Sequence, residues 1–200
     1  MRLRWILMAA LCAAVPAMAQ TFNGEVALSY NWMRGNTPAG NCNCFALNGG
    51  GLEAAWNLTT RWALAAEAGA AQARGEDLTL SYYLAGGRFF VLPADKAHPK
   101  RPVPFAQLLL GGAHASGVLA GTTSKSSNDF AFRVGGGFDV PLGRSFALRP
   151  LQAEYLLTLF PNRVNGRQNI LVLGSGFVYR FGKRDSDTEV KSQQMSTGHL

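Results

Sequence analysis

The chain has 200 residues and a formal charge of +7, from 19 Lys or Arg residues against 12 Asp or Glu residues. Its basic residues are scattered, with "KAHPKR" at 96–101 as the only cluster, which argues against a nucleic-acid-binding protein. Although 48% of the residues are hydrophobic, no stretch beyond residue 20 approaches the roughly 20 apolar residues of a membrane-spanning helix.

The first 19 residues, "MRLRWILMAALCAAVPAMA", have the pattern of a secretory signal peptide. Two arginines precede a short apolar run, and an A-x-A motif ends at Ala19, so we expect cleavage after Ala19. Removal of Arg2 and Arg4 leaves 17 basic residues against 12 acidic ones, a formal charge of +5. Residues 20–182 would then form one exported domain, and the polar residues 183–200 would follow it as a disordered tail.

Two cysteines, Cys42 and Cys44, remain after export. Oxidising conditions allow a disulfide, but a C-x-C pair closes a small strained ring. A metal site would need further Cys or His ligands nearby, and the neighbouring sequence has none. We predict a local loop feature, with neither a metal nor a cofactor, and the sequence leaves open whether the two thiols pair.

The rest of the chain alternates apolar and polar residues with the two-residue period of β-strands. In "NGEVALSYNWM", for example, Val26, Leu28 and Tyr30 oppose Glu25 and Ser29. Several segments exceed the roughly 9–11 residues that a tilted membrane strand requires. Turn signals divide the pattern into eight segments, at about 21–34, 42–57, 60–73, 77–92, 102–116, 127–141, 145–160 and 168–182.

Three segments break the alternation. Leu47 shares parity with Glu53 in the second, "LSYYLAGGRFFV" changes phase in the fourth, and Pro150 interrupts the seventh. We expect a β-bulge in each of them, because a bulge shifts the alternation and Pro is tolerated at such positions.

Eight alternating strands joined by short connections predict an all-β fold, an eight-stranded antiparallel up-and-down barrel. Its aromatic residues cluster near strand ends, as the interfacial girdles of a transmembrane barrel do. The opposite face holds Gly, Ala, Ser and isolated charges, which suit a narrow lumen better than a water-exposed surface. With the amino terminus in the periplasm, the longest Gly/Ser/Thr loop, "SGVLAGTTSKSSN", falls outside, as expected for a transmembrane barrel.

Charges in so narrow a lumen would be costly if they were unpaired. We therefore expect ion pairs that bridge opposite walls and plug the lumen, which disfavours the alternative of a narrow pore. The candidate lumen residues are Glu25, Glu53, Glu67, Arg88, Arg133, Asp139, Glu154 and Arg180.

The run "GSGFVYRF" at 174–181 resembles the terminal strand signal of bacterial outer-membrane proteins, with Gly176, Tyr179 and Phe181 at its key positions. Residues 21–182 as a whole resemble an OmpA-like transmembrane domain or a small OmpX-type outer-membrane β-barrel. The resemblance implies assembly by the barrel-assembly machinery and contact with outer-membrane lipid and lipopolysaccharide. It also implies a periplasmic location for residues 183–200.

Two functions are compatible with this interpretation. The favoured one is a non-enzymatic barrel that supports the envelope or presents surface loops, whose ligands the sequence does not identify. The alternative is a lipid A-modifying enzyme, because His114 and Ser116 in "GGAHASG" lie two residues apart near a strand end and Asp129 begins the next strand. A base, a nucleophile and an orienting carboxylate would suit acyl transfer. The H-x-S spacing also resembles that of the outer-membrane lipid A deacylases.

Overall fold

The protein is a closed barrel of eight antiparallel strands in the computed structural model. The model describes residues 24–35, 45–73, 78–92, 101–116, 126–143, 145–160 and 167–182. The strands are β1 (Gly24–Gly35), β2 (Phe45–Asn57), β3 (Trp62–Ala73), β4 (Thr79–Phe90), β5 (Val103–Ser116), β6 (Ser126–Pro141), β7 (Phe146–Thr158) and β8 (Gln168–Phe181). Each strand pairs with the next, and β8 pairs with β1, so the predicted fold class is confirmed.

Several sequence predictions concern residues outside these ranges. The expected signal peptide, the pair Cys42 and Cys44, and the expected tail at 183–200 all lie outside the described residues. Within the described ranges, no helix is long and apolar enough to cross a membrane.

The strands are staggered around the barrel. Glu25 on β1 is paired with Ala55 on β2, and following partners around all eight strands leads back to β1 at Gly35, ten residues further along. Such a stagger tilts the strands, typically by about 35–45°, and an eight-stranded interior is just wide enough for side chains to fill it. We call the end where β1 begins and β8 ends the near end of the barrel, and the opposite end the far end.

The two faces of the wall differ sharply in polarity and exposure. Large apolar side chains point outward and are widely exposed, as Leu28 (66%), Tyr83 (67%) and Phe177 (64%) illustrate. An outward apolar band of this kind is typical of a transmembrane barrel, because lipid rather than water covers it. Aromatic pairs flank the band at the near end, where the ring centroids of Trp62 and Phe89 are 4.9 Å apart.

Only one of the three expected bulges is present. The pairing around Pro150 shifts register between Arg149 and Gln152, so β7 contains the expected bulge. The bulges expected in β2 and β4 were wrong, because both strands keep an unbroken register with both neighbours. Their irregular alternation arises because apolar residues such as Leu47 and Leu80 face inward and are buried.

Candidate functional site

The lumen contains all eight of the charged residues that the sequence assigns to it. Arg180, at the near end, has the most exposed side chain of the eight, at 18%. The other seven are at most 5% exposed: Glu25, Glu53, Glu67, Arg88, Arg133, Asp139 and Glu154. Such burial is tolerable only if each charge has a partner of opposite sign and further hydrogen bonds.

Six charged residues in the near half of the lumen form a cluster that we call the near-end cluster: Glu25, Glu53, Arg88, Asp139, Arg149 and Arg180. Arg149 connects two of its carboxylates. Its Nε atom lies 2.8 Å from Asp139 Oδ1, and its Nη1 atom lies 2.8 Å from Glu53 Oε1. Three guanidinium groups face three carboxylates, so the near-end cluster is electrically balanced.

Arg88 ties the near-end cluster to the opposite wall. Its Nη1 atom donates to Glu25 Oε1 at 2.6 Å, and the same guanidinium group pairs with Glu53. Its Nε and Nη2 atoms both donate to Gln107 Oε1, at 2.9 and 2.6 Å. The guanidinium carbons of Arg88 and Arg149 also lie 4.2 and 4.5 Å from the ring centroid of Phe105, within the range of cation–π attraction.

A second cluster, the Arg133 cluster, lies further along the lumen and consists of Arg133, Glu67 and Glu154. Arg133 Nη1 lies 2.7 Å from Glu67 Oε1, and Arg133 Nε lies 2.5 Å from Glu154 Oε2. The Tyr82 hydroxyl donates to Glu67 Oε1 at 3.0 Å. Two carboxylates share one guanidinium group here, so the Arg133 cluster has one acidic group more than it has basic groups.

Gln107 connects the two clusters. Its Nε2 atom donates to Glu53 Oε2 at 3.2 Å and to Glu154 Oε1 at 2.8 Å, while its Oε1 atom accepts from Arg88. The polar groups of the near half therefore form one continuous network. An amide is well suited to this position, because it offers both donors and an acceptor.

The remaining lumen is mostly apolar, although Asn31 and Thr158 are also buried there, and we call it the apolar section. It occupies the far half of the barrel, where the side chains are nearly inaccessible to solvent. Its largest members are at most 3% exposed: Met33, Leu47, Leu80, Leu109, Leu156, Phe160, Ile170 and Val172.

Sequence reasoning missed several of these residues. Arg149 was overlooked because it differs in parity from Glu154 on the same strand, and only the bulge at Pro150 brings both side chains inward. The expected bulge was the signal that could have found it. Gln107 and Tyr82 are uncharged, and a search for lumen charges does not select them. Tyr82 fits because Gly69 opposite it has no Cβ, which would clash with the tyrosine hydroxyl.

The three residues of the enzyme hypothesis are not brought together. His114 and Ser116 alternate with the buried Ala113 and Ala115, so both face outward at the far end. Asp129 shares the inward face of β6 with Arg133 and is paired with the buried Ala113. It therefore lies on the opposite side of the wall from His114, and its expected role as the partner of His114 was wrong. His114 Nδ1 instead lies 2.7 Å from Asn128 Oδ1.

The residues of the terminal strand signal lie at the near end of β8. Tyr179 and Phe181 face outward, are 48% and 41% exposed, and have ring centroids 6.3 Å apart. Phe181 packs against Gly24 on β1, where a Cβ would lie 2.6 Å from the ring. Gly176 faces inward and is paired with Arg149. Phe181 therefore covers the seam where β8 meets β1.

No protein-family model matches the sequence, and no curated protein matches it either. Solved structures do resemble the barrel. Neisserial surface protein A has a TM-score of 0.59 and 15% identity, over 79% of this chain and 97% of that one. Ail of Yersinia pestis, in complex with the heparin analogue sucrose octasulfate, has a TM-score of 0.55 and 14% identity, over 81% of this chain and all of that one. The outer membrane enzyme PagL has a TM-score of 0.50 and 17% identity, over 74% of this chain and 97% of that one.

These likenesses show the fold. The chain has the architecture of the small eight-stranded outer-membrane β-barrels, as its resemblance to OmpA-like and OmpX-type proteins implied. The likeness concerns the path of the backbone, whereas the charged network and the apolar section are formed by the side chains of this chain.

Proposed function

We propose that the protein is an integral outer-membrane barrel that is not an enzyme, and that its lumen is closed. The observation that carries this proposal is the set of ion pairs between strands that are not neighbours. Arg88 on β4 pairs with Glu25 on β1, and Arg133 on β6 pairs with Glu67 on β3. In an eight-stranded barrel, partners three strands apart must reach across the interior, so the pairs occupy the space that a pore would need.

The proposed role in the envelope follows from this closed wall. The near end would lie at the periplasmic side, where Gly176, Tyr179 and Phe181 would be read by the barrel-assembly machinery. The far end would lie at the cell surface and present the connecting loops, and lipopolysaccharide and other outer-membrane lipids would surround the apolar band. No cofactor has a part in this role.

Cell fractionation tests the location. The protein is expected in the outer-membrane fraction, extractable only with detergent and migrating differently on a gel before and after boiling. A protein that is soluble without detergent, or that fractionates with the inner membrane, would contradict the proposal.

Single-channel recording tests the closed lumen separately. Purified protein reconstituted in a planar bilayer is expected to give no conductance steps, while a porin in the same lipid gives steps as the positive control. Regular steps from the folded barrel would refute the closed lumen and leave the membrane location standing.

A lipid A-modifying enzyme is the second candidate, and one observation favours it. Asn128 Oδ1 lies 2.7 Å from His114 Nδ1 and orients the histidine ring on the outward face, which Ser116 shares. The orienting group is therefore an amide instead of a carboxylate. The test is the mass of lipid A from cells that express the wild type, Ser116→Ala or the control Ser81→Ala, since Ser81 is paired with His114 across β4 and β5. A mass change that Ser116→Ala alone abolishes would establish the enzyme, and identical lipid A with and without the protein would reject it.

A further inference from the structure

The acidic and basic groups of the lumen do not balance. Among the described residues, five carboxyl groups of the two clusters face four guanidinium groups. The near-end cluster contributes three of each, so the surplus carboxyl group belongs to the Arg133 cluster. A buried charge without a partner of opposite sign is costly. A cation that could enter so narrow a space, the smallest of which is a proton, would remove this cost.

Glu154 has the contacts of a carboxylate. Its Oε1 atom accepts from Gln107 Nε2 at 2.8 Å, and its Oε2 atom lies 2.5 Å from Arg133 Nε. Both oxygens therefore face donors, as suits an ionised carboxyl group, which only accepts hydrogen bonds. Glu154 is held as the anionic partner of Arg133.

Glu67 is held through one of its oxygens. Tyr82 Oη donates to Glu67 Oε1 at 3.0 Å, and Arg133 Nη1 donates to the same atom at 2.7 Å. Glu67 Oε2 is buried and has no hydrogen-bond partner among the described residues. A neutral carboxyl group has one oxygen that carries the proton and one that keeps its full capacity to accept. The contacts of Glu67 match this neutral form, with the proton on Oε2.

Asn31 fixes the direction in which Tyr82 donates. Asn31 Nδ2 donates to Tyr82 Oη at 3.0 Å, so the single hydroxyl proton of Tyr82 is directed to Glu67 Oε1. Gly51 leaves room for this contact, because a Cβ there would lie 3.0 Å from Glu67 Oε1 and 3.1 Å from Tyr82 Oη. Tyr82 therefore does not serve Oε2.

The charged groups around Glu67 also disfavour a second anion. Glu53 on β2 is paired directly with Glu67 and is held as an anion by guanidinium groups of the near-end cluster. Glu154 on β7 is a further anion, and Tyr82 on β4 is a neutral donor. Arg133 on β6 is the cation that forms an ion pair with Glu67 in the described part of the lumen, and it is shared with Glu154. Nearby like charges favour the protonated form of a carboxyl group.

We propose that Glu67 binds a proton in the folded barrel at neutral pH, which makes the Arg133 cluster electrically neutral. Folding then takes up one proton, because the glutamates of an unfolded chain are ionised above about pH 5. Each step to higher pH favours the unfolded chain, until the pH at which Glu67 releases its proton in the folded barrel. The barrel is therefore stabilised by mild acidity. This proton site goes beyond the proposed function and does not depend on where the barrel resides, because the strands themselves bury it.

The pH dependence of urea unfolding, measured in micelles of an uncharged detergent, tests the site. From about pH 5 upward, the unfolding equilibrium constant of the wild type should rise by up to about tenfold per pH unit, as expected for uptake of one proton. Glu67→Gln should abolish this rise, because an amide has no such proton to release. The matched control is Asp129→Asn, since Asp129 faces inward on β6 outside both clusters. This control should keep the wild-type rise.

Two amide variants at neutral pH test which carboxyl group holds the proton. Glu67→Gln exchanges a neutral acid for a neutral amide whose oxygen can still accept from Tyr82 and Arg133. Its urea midpoint should equal or exceed that of the wild type. Glu154→Gln places an NH₂ group against a donor of Arg133 or Gln107, so it should unfold at a lower urea concentration.

Infrared spectroscopy detects the proton directly, since a protonated carboxyl group has a C=O band that carboxylates lack. The wild type should show this band at neutral pH, and Glu67→Gln should lack it. The wild-type spectrum is decisive even if a variant does not fold, and heat-modifiable migration identifies the folded variants.

Four outcomes overturn the inference. The wild type could lack the infrared band, or its unfolding could be independent of pH. Glu67→Gln could retain the wild-type rise, or it could be less stable at neutral pH than Glu154→Gln, which would assign the proton to Glu154. A protein absent from the outer membrane would overturn the proposed function and leave all four measurements unchanged.

Discussion

The near and far halves of the lumen are filled by opposite kinds of side chain, and the outer surface changes in the opposite sense. On β2, the buried Glu53 adjoins the outward Leu52 in the near half, whereas the buried Leu47 adjoins the outward Asn48 in the far half. On β8, the buried Ile170 adjoins the outward Asn169. At these positions the near half is polar inside and apolar outside, and the far half is apolar inside and polar outside.

One continuous barrel therefore combines two arrangements of polar and apolar side chains, one suited to lipid and one suited to water. A wall with an apolar exterior and a polar interior suits lipid, and a wall with an apolar interior and a polar exterior suits water. The far half is therefore built like a water-soluble barrel with a packed core.

The largest expected effect comes from breaking the near-end cluster. Arg149→Ala removes one of the two guanidinium partners of both Asp139 and Glu53, and leaves three buried carboxylates facing two guanidinium groups. We expect a loss of about 4 kcal/mol in the free energy of unfolding, because removing one member of a buried ion pair leaves an uncompensated charge. Urea unfolding in detergent micelles, followed by tryptophan fluorescence, measures the loss.

The control for this variant is Arg61→Ala. Arg61 is exposed in the turn before β3, so its removal should change the free energy of unfolding by under about 0.5 kcal/mol. Equal losses from both variants would show that the lumen contacts of Arg149 do not stabilise the barrel.

A smaller loss is expected in the apolar section. Leu156 is fully buried there, and Leu156→Ala should lower the free energy of unfolding by about 3 kcal/mol, through the lost apolar contacts and the cavity that remains. The matched control is Leu159→Ala, because Leu159 is 44% exposed just beyond the same strand. Urea unfolding compares the two. If Leu159→Ala cost as much as Leu156→Ala, the far half would not be a packed core.

The fold was largely predictable because strand alternation is a local property of the sequence. The segment expected at about 21–34 is the strand Gly24–Gly35, and the segment expected at 168–182 is Gln168–Phe181. The same alternation places Glu25 and Arg180 on the inward face. Parity within one strand needs no knowledge of the neighbouring strands, so it could be read directly.

The parts of the site that sequence reasoning missed depend on more than one strand. Arg149 faces the lumen only because the bulge at Pro150 reverses the parity of β7. Leu47 and Leu80 contradicted the expectation of a polar lumen along its whole length, and they were interpreted as irregularities when they marked the apolar section. The pairing of His114 with Asn128 depends on the register between β5 and β6, which alternation alone does not determine.

The smallest expected effect comes from replacing a charged cluster instead of breaking it. Arg133→Met alone should cost about 3–5 kcal/mol, because Glu67 and Glu154 would lose their shared partner. Adding Glu67→Gln and Glu154→Gln removes both buried carboxyl groups, while the new amide oxygens can still accept from Tyr82 and Gln107. The free energy of unfolding of the triple variant should therefore lie within about 1 kcal/mol of the wild-type value, since a buried ion pair contributes little more than a neutral replacement of similar shape.

Urea unfolding of the single and triple variants measures this difference. If the triple variant is as unstable as Arg133→Met, the charges of the Arg133 cluster are themselves stabilising. The polar lumen would then contribute directly to the stability of the barrel. If the triple variant is as stable as the wild type, a neutral lumen folds equally well, and the charges distinguish the two halves of the barrel without strengthening it.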